Sequence, residues 1–243
     1  MVQLVNNCKM KKILFSLALA LAFVACGSQT EQSKPRRVEM KTTMGDIVLE
    51  LSDLTPIHRD NFMQLVEENY FDSLLFHRVI ENFMIQGGDP RTREISGSEF
   101  FADGEETGDP RYWEDIPAEI IFPQLYHKRG VLAAAREGDD VNPERRSSRT
   151  QFYIVWGRTF NDEQLDAQQQ RITRSTAGKV ILPDSIREVY KSTGGTPHLD
   201  GSYTVFGHVV SGLEVVDKIQ LSATDSLDRP VEDVRILSVR EVK

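Results

Sequence analysis

Phe76-His77-Arg78-Val79-Ile80-Glu81-Asn82-Phe83-Met84-Ile85-Gln86-Gly87-Gly88-Asp89 is the stretch that decides the fold. It reads as two successive short strands, Leu75–Ile80 and Phe83–Gln86, with a tight reversal between them. An arginine, a phenylalanine, a methionine and a glutamine fall close together on this hairpin. That mixture suits an apolar pocket served by one fixed cation and one amide.

Outward from this hairpin the chain continues as short strands. Towards the N-terminus, Val38–Thr42 and Ile47–Leu51 alternate apolar and polar side chains around Met44-Gly45-Asp46, a second hairpin signal. Thr55-Pro56 opens a helix, proline being tolerated in the first turn. Ile57, Phe62, Leu65 and Val66 supply much of its apolar stripe. Towards the C-terminus, Gly130–Ala135, Gln151–Trp156, Tyr203–Val209 and Val234–Val239 read as strands, and Leu213–Ile219 has helical spacing. Many short strands framed by two helices predict a closed barrel, an architecture that removes aggregation-prone sheet edges.

Three segments resemble the cyclophilin family of peptidyl-prolyl cis/trans isomerases. Phe76–Asp89 has the form FHRVI..FM.QGGD; Ser148-Arg149-Thr150-Gln151-Phe152-Tyr153-Ile154 is similar to a GSQFFI strand; Leu199–Gly207 is similar to an LDG..VVFG segment. The resemblance covers most of Val38 to Val242. It implies a mainly β fold: a closed eight-stranded antiparallel barrel capped by two helices. Two insertions fall outside it, at about 90–117 and 158–197. The first is rich in Gly, Asp and Glu and contains Asp103-Gly104-Glu105-Glu106. The second is expected to be helical, with a Gln-rich stretch from Asn161 to Arg174 and then Pro183–Tyr190.

The resemblance also distributes roles. Arg78 matches the catalytic arginine, Phe83 and Met84 the pocket-lining pair, and Gln86 the amide that holds substrate backbone. Gln151 and Tyr153 share one face of their strand, and Tyr153 stands where a phenylalanine floors the proline pocket. Ala135 matches an alanine on the groove, Arg136 replaces the asparagine beside it, and Leu199 lines the pocket. Tyr203 stands where a histidine is usual. His198 replaces a tryptophan of many eukaryotic members, which implies reduced affinity for cyclosporin. The implied substrates are proline-containing polypeptides. The rival reading, drawn from the departures at Arg136, His198 and Tyr203 and from the insertions, is a non-catalytic peptide-binding module or holdase.

Lys9, Lys11 and Lys12 precede an apolar run from Ile13 to Ala25 that ends at Cys26. A basic n-region, a short apolar h-region and a small residue before the cut read as a secretory signal, and the cysteine after Val24-Ala25 resembles a lipoprotein lipobox. Residues 1–9 read as upstream of a start at Met10. The expected mature chain begins with a lipidated Cys26, continues through a Ser/Gln/Glu/Lys-rich tether to Arg37, and folds from Val38 to Lys243 outside the cytoplasm as a membrane-anchored domain. Cys26 is its one cysteine, so no internal disulfide is available.

Removing 25 residues from 243 leaves 218, enough for one sizeable core. Taking three lysines from the 29 basic residues leaves 26 against 37 acidic ones, a balance of −11. That disfavours nucleic acid as a partner, since phosphate contacts need clustered Lys and Arg. The five histidines lack metal-ligand spacing, and the chemistry requires no metal or cofactor.

Overall fold

The computed structural model describes residues 35–95 and 109–242. The expected signal, Cys26, most of the tether and the Asp103–Glu106 run lie outside these residues. Eight strands form one antiparallel sheet: β1 (Arg37–Thr42), β2 (Gly45–Leu51), β3 (Phe76–Ile80), β4 (Met84–Gly87), β5 (Val131–Ala134), β6 (Phe152–Val155), β7 (Val205–Ser211) and β8 (Ile236–Val242). Their order across the sheet is β3-β4-β6-β5-β7-β2-β1-β8. The sheet curls until its two edges meet at a short seam rather than a full ladder. Leu75 pairs with Arg235 there. Ser73 N–H donates to Ile236 C=O (2.9 Å), Ile236 N–H to Leu74 C=O (2.8 Å) and Phe76 N–H to Val234 C=O (2.9 Å).

Alternation along the strands splits the apolar residues into two populations. Ile47, Leu49, Ile85, Leu132, Phe152, Ile154 and Phe206 point into the barrel and pack with Phe62, Leu65 and Val66 of α1 (Pro56–Glu67) and with Val216 and Ile219 of α4 (Leu213–Gln220). Their neighbours Met84, Val131, Ala133, Tyr153, Val155 and Val205 form a separate buried cluster on the opposite face. The candidate cleft lies over this second face.

One expected core residue is misplaced. Ile57 is 44% exposed, and the buried stripe of α1 begins instead at His58, followed by Phe62, Met63, Leu65 and Val66. His58 and Phe62 are four apart and share a face; Ile57 to Phe62 is a five-residue step that turns away from it. The exposed first turn is held by Glu119, whose carboxylate accepts Ile57 N–H (3.1 Å) and His58 N–H (2.9 Å).

The insertion at 158–197 contains α2 (Asp162–Ser175) and α3 (Asp184–Ser192). Phe160, Leu165, Ile172, Val180, Leu182, Ile186 and Tyr190 give it a small core of its own. Its two ends close on each other: Arg158 N–H donates to Gly195 C=O (3.3 Å) and Gly195 N–H to Arg158 C=O (3.0 Å). A Cβ on Gly157 would lie 2.1 Å from the Gly195 oxygen, so this approach needs glycine. The chain therefore leaves the barrel and returns at one point without disturbing the sheet. Among the described residues no helix is long and apolar enough to cross a membrane.

Candidate active site

Register places the motif residues in one cross-strand row. Arg78 on β3 faces Gln86 on β4, Gln86 faces Tyr153 on β6, Tyr153 faces Ala133 on β5, and Ala133 faces Val205 on β7. Directly opposed residues have Cβ atoms about 4.5–5.5 Å apart. Arg78 and Tyr153 thus flank Gln86 on the outer face.

Strict alternation would have sent Arg78 to the same side as Phe76, which is core. A register shift between Phe76 and Arg78 prevents this. His77 is the extra residue of the resulting bulge, so Phe76 and Val79 both enter the core while Arg78 and Ile80 face outward. Bulges of this kind re-aim side chains. Burial pulls the imidazole of His77 down to about 4, so it is neutral near pH 7. Behind β4, Gly88 adopts φ +95°, and a Cβ there would sit 2.0 Å from the Thr150 carbonyl oxygen. The second glycine of the motif is what lets β4 and the segment before β6 close up.

The row opens into a cleft of about 250 Å³. Phe83, Met84, Tyr153, Leu199 and Tyr203 supply its apolar and aromatic surface; Arg78, Gln86, Ala135 and Arg136 complete the rim. Of the residues singled out from sequence around the cleft, His198 and Gln151 stand outside the lining. His198 stacks behind Phe83. Gln151 is one bond behind: Gln86 Nε2–H donates to Gln151 Oε1 (2.9 Å). That bond fixes the Gln86 amide, leaving its carbonyl and second N–H available to a ligand.

The rim charges are held differently. Arg78 Nε lies 3.4 Å from Asp228 Oδ2, with both side chains 43% exposed, so water screens the pair strongly. Asp228 is set in place by backbone, since Val79 N–H donates to its carbonyl (2.7 Å). Arg136, in contrast, is committed to its own chain. Its guanidinium lies 4.3 Å from the centre of the Tyr203 ring, donates to Ser202 C=O (2.8 Å) and pairs with Asp139 (2.7 Å). It stiffens the Tyr203 wall as a stacked cation.

Behind the floor runs a buried polar chain invisible to sequence reading. Tyr153 Oη is 3.0 Å from His127 Nε2, His127 Nδ1 is 3.0 Å from Asp200 Oδ1, and Tyr190 O–H donates to Asp200 Oδ2 (2.7 Å). His127 N–H also donates to Asp200 Oδ1 (2.8 Å). Burial pushes both phenols well above their ordinary range, so each keeps its proton. The His127 ring bridges the Asp200 carboxylate at Nδ1 and the Tyr153 phenol at Nε2. Tyr190 belongs to α3, so the insertion reaches the cleft floor through three hydrogen bonds. His127 and Asp200 are 73 residues apart; the one local signal was that Asp200 lies within the Leu199–Gly207 match.

A model described as cyclophilin type peptidyl-prolyl cis-trans isomerase/CLD matches residues 37–241. Peptidyl-prolyl cis-trans isomerase-like 1 of Gibberella zeae is 32% identical over 208 residues, which cover 85% of this chain and 94% of the relative. A longer Streptococcus pyogenes protein, named as a bifunctional phosphatase/peptidyl-prolyl cis-trans isomerase, is 32% identical over 206 residues; these are 84% of this chain but 38% of that one. Among solved structures, a Cryptosporidium parvum cyclophilin type isomerase crystallised in the presence of the dipeptide Ala-Pro matches with a TM-score of 0.58. It is 22% identical and covers 85% of this chain and 99% of its own.

Proposed function

The chain belongs to the cyclophilin-type peptidyl-prolyl cis-trans isomerase family, and on that premise we propose that its cleft accelerates X–Pro isomerisation in polypeptides folding after export. The uncatalysed barrier, roughly 18–20 kcal/mol, arises from amide resonance. No bond is made or broken, so catalysis requires only that the twisted imide be bound more tightly than either planar isomer. Twisting localises the lone pair on the prolyl nitrogen. A guanidinium beside the ring donates to that lone pair and gains little from the planar forms. Arg78 is the donor: it stays charged and presents a planar fork. Phe83, Met84, Tyr153 and Leu199 grip the proline ring, while Gln86 and the backbone at Ala135 hold the flanking peptide.

The observation that carries this reading is the row Arg78–Gln86–Tyr153 beside an aromatic cup. Exchange NMR on a single-proline peptide with the full chain tests it. Faster cis/trans exchange is expected. Binding shifts without faster exchange would instead favour a holdase or peptide-binding module.

The site of action rests on the N-terminal sequence: a basic start, an apolar run and Cys26. A diacylated cysteine supplies the two chains that stable anchoring needs. Cys26→Ser is expected to move the protein from the membrane to the soluble fraction; unchanged retention would contradict the anchor.

A further inference from the structure

A second cavity of about 290 Å³ lies on the other side of Phe83 from the proline cleft. Phe83 lines both, and His198 lies against its ring at 5.6 Å between centroids, tilted by 27°. The far wall comes from the insertion, through Arg158, Phe160, Gln168 and Arg171. Three features of this wall point to a ligand.

The first is charge. The chain has 37 acidic and 29 basic residues, and among the described residues most arginine side chains lie against a carboxylate. The guanidinium groups of Arg158 and Arg171 have no ion pair among the described residues; that of Arg158 rests on the Phe160 ring at 5.2 Å. The rim carries one acid, Glu81, whose carboxylate accepts Asn82 Nδ2–H at 3.3 Å. Two cations against one anion leave the cavity positive.

The second is unspent hydrogen-bonding capacity. Gln168 Oε1 and Thr196 Oγ1 are buried without a partner, in side chains only 8% and 2% exposed, and both residues line the cavity. A buried polar atom left unpaired costs about 1–3 kcal/mol; both oxygens lie just behind the cavity surface, so a side-chain rotation towards a ligand would recover that cost. Gln168 Oε1 is suited to a peptide N–H, and the Thr196 hydroxyl to a carbonyl or carboxylate oxygen. The third is the state of His198. Burial first, and then the fields of Arg171, His127 and Arg158, pull it down to about 4. The imidazole is therefore a neutral partition between the two cavities near pH 7.

On the reading of the first cleft as a proline site, we infer that the second cavity takes the carboxylate side chain of an Asp or Glu from the same polypeptide. One aromatic ring separates the cavities, and an extended chain advances about 3.3 Å per residue, so the acid belongs within about two to four residues of the proline. The insertion is then a specificity element: it supplies the cations that select acidic flanks.

The test uses the full chain and amidated single-proline peptides carrying Glu, Gln or Lys at each of four positions on either side of proline. At one position, kcat/KM for Glu is expected to exceed that for Gln by about threefold to tenfold, mostly through KM, with Lys lowest. Raising the salt should shrink the ratio towards one. The variant R158Q/R171Q should abolish the Glu preference while turning over the Gln peptides as before. Equal rates for Glu and Lys throughout, or a preference that survives the double variant, overturns the inference and leaves the isomerase intact. Should no peptide be isomerised, the proline reading fails by itself. NMR titration of the same Glu and Lys peptides then decides the second cavity on affinity.

Discussion

The hairpin β3–β4 and the helical insertion meet at the cleft, yet they are built on opposite terms. The hairpin presents its functional side chains on the outer face and secures them through alternation, register and one bulge. The insertion buries its apolar residues in a core of its own and touches the cleft floor through a buried chain of hydrogen bonds. A strand scaffold fixes where the chemistry happens; the insertion fixes how firmly the floor is held and which neighbouring residues a substrate brings.

Cutting the tie at its centre should have the largest effect. Asp200 is fully buried and accepts three hydrogen bonds. Asp200→Ala leaves His127 N–H, His127 Nδ1 and Tyr190 O–H without their partner, at about 1–3 kcal/mol each, and is expected to cost about 3–5 kcal/mol in all, read by urea unfolding. An unchanged midpoint would mean that insertion and floor stand independently.

Acid should loosen both regions together. His77 and His198 are each held near 4 against an ordinary 6.5, chiefly by burial. A depressed folded pKa means that the unfolded chain binds more protons in this window. The stabilisation is complete above about pH 6.5 and is lost as pH falls towards 4. The more buried His77 accounts for on the order of 3 kcal/mol of this. His77→Gln should flatten the pH dependence of stability between pH 6.5 and 4; an unchanged slope would assign it to other groups.

Smaller effects are expected at the ends of the buried chain. Tyr153→Phe leaves His127 Nε2 unpaired, and Tyr190→Phe leaves one Asp200 oxygen unpaired, for about 1–3 kcal/mol each. Because they share a network, the double variant should cost measurably more or less than the sum of the singles. Strict additivity in thermal unfolding would show that the tie does not act as a unit. Smallest is Asp228→Asn, which removes the screened partner of Arg78. A pair this exposed contributes about 0.2–1 kcal/mol, so kcat/KM should change less than about fivefold.

The same contrast explains what the sequence made legible. Strand alternation placed Gln151 and Tyr153 on one face because period two is a property of the backbone. The match of Phe76–Asp89 to a known pattern brought Arg78 to the cleft, although alternation alone would have buried it; nothing in Phe-His-Arg-Val-Ile marks a bulge. Ile57 misled because an apolar residue in a first helical turn resembles core until the phase of the helix is known. Helices in the insertion were readable from composition and spacing. Their link to the floor was not, since Tyr190, Asp200 and His127 lie on separate segments and pair through polar atoms that no periodicity records. Asp228 reaches Arg78 from a distant loop and left no local trace.

On the proposed reading, a guanidinium over an aromatic cup stabilises the rotated imide. Exchange NMR on one proline peptide, comparing wild type with Arg78→Ala, measures that stabilisation. A drop of about 10²–10³ in catalysed exchange is expected, with peptide affinity retained within a few-fold. Equal exchange rates from the two proteins would contradict it.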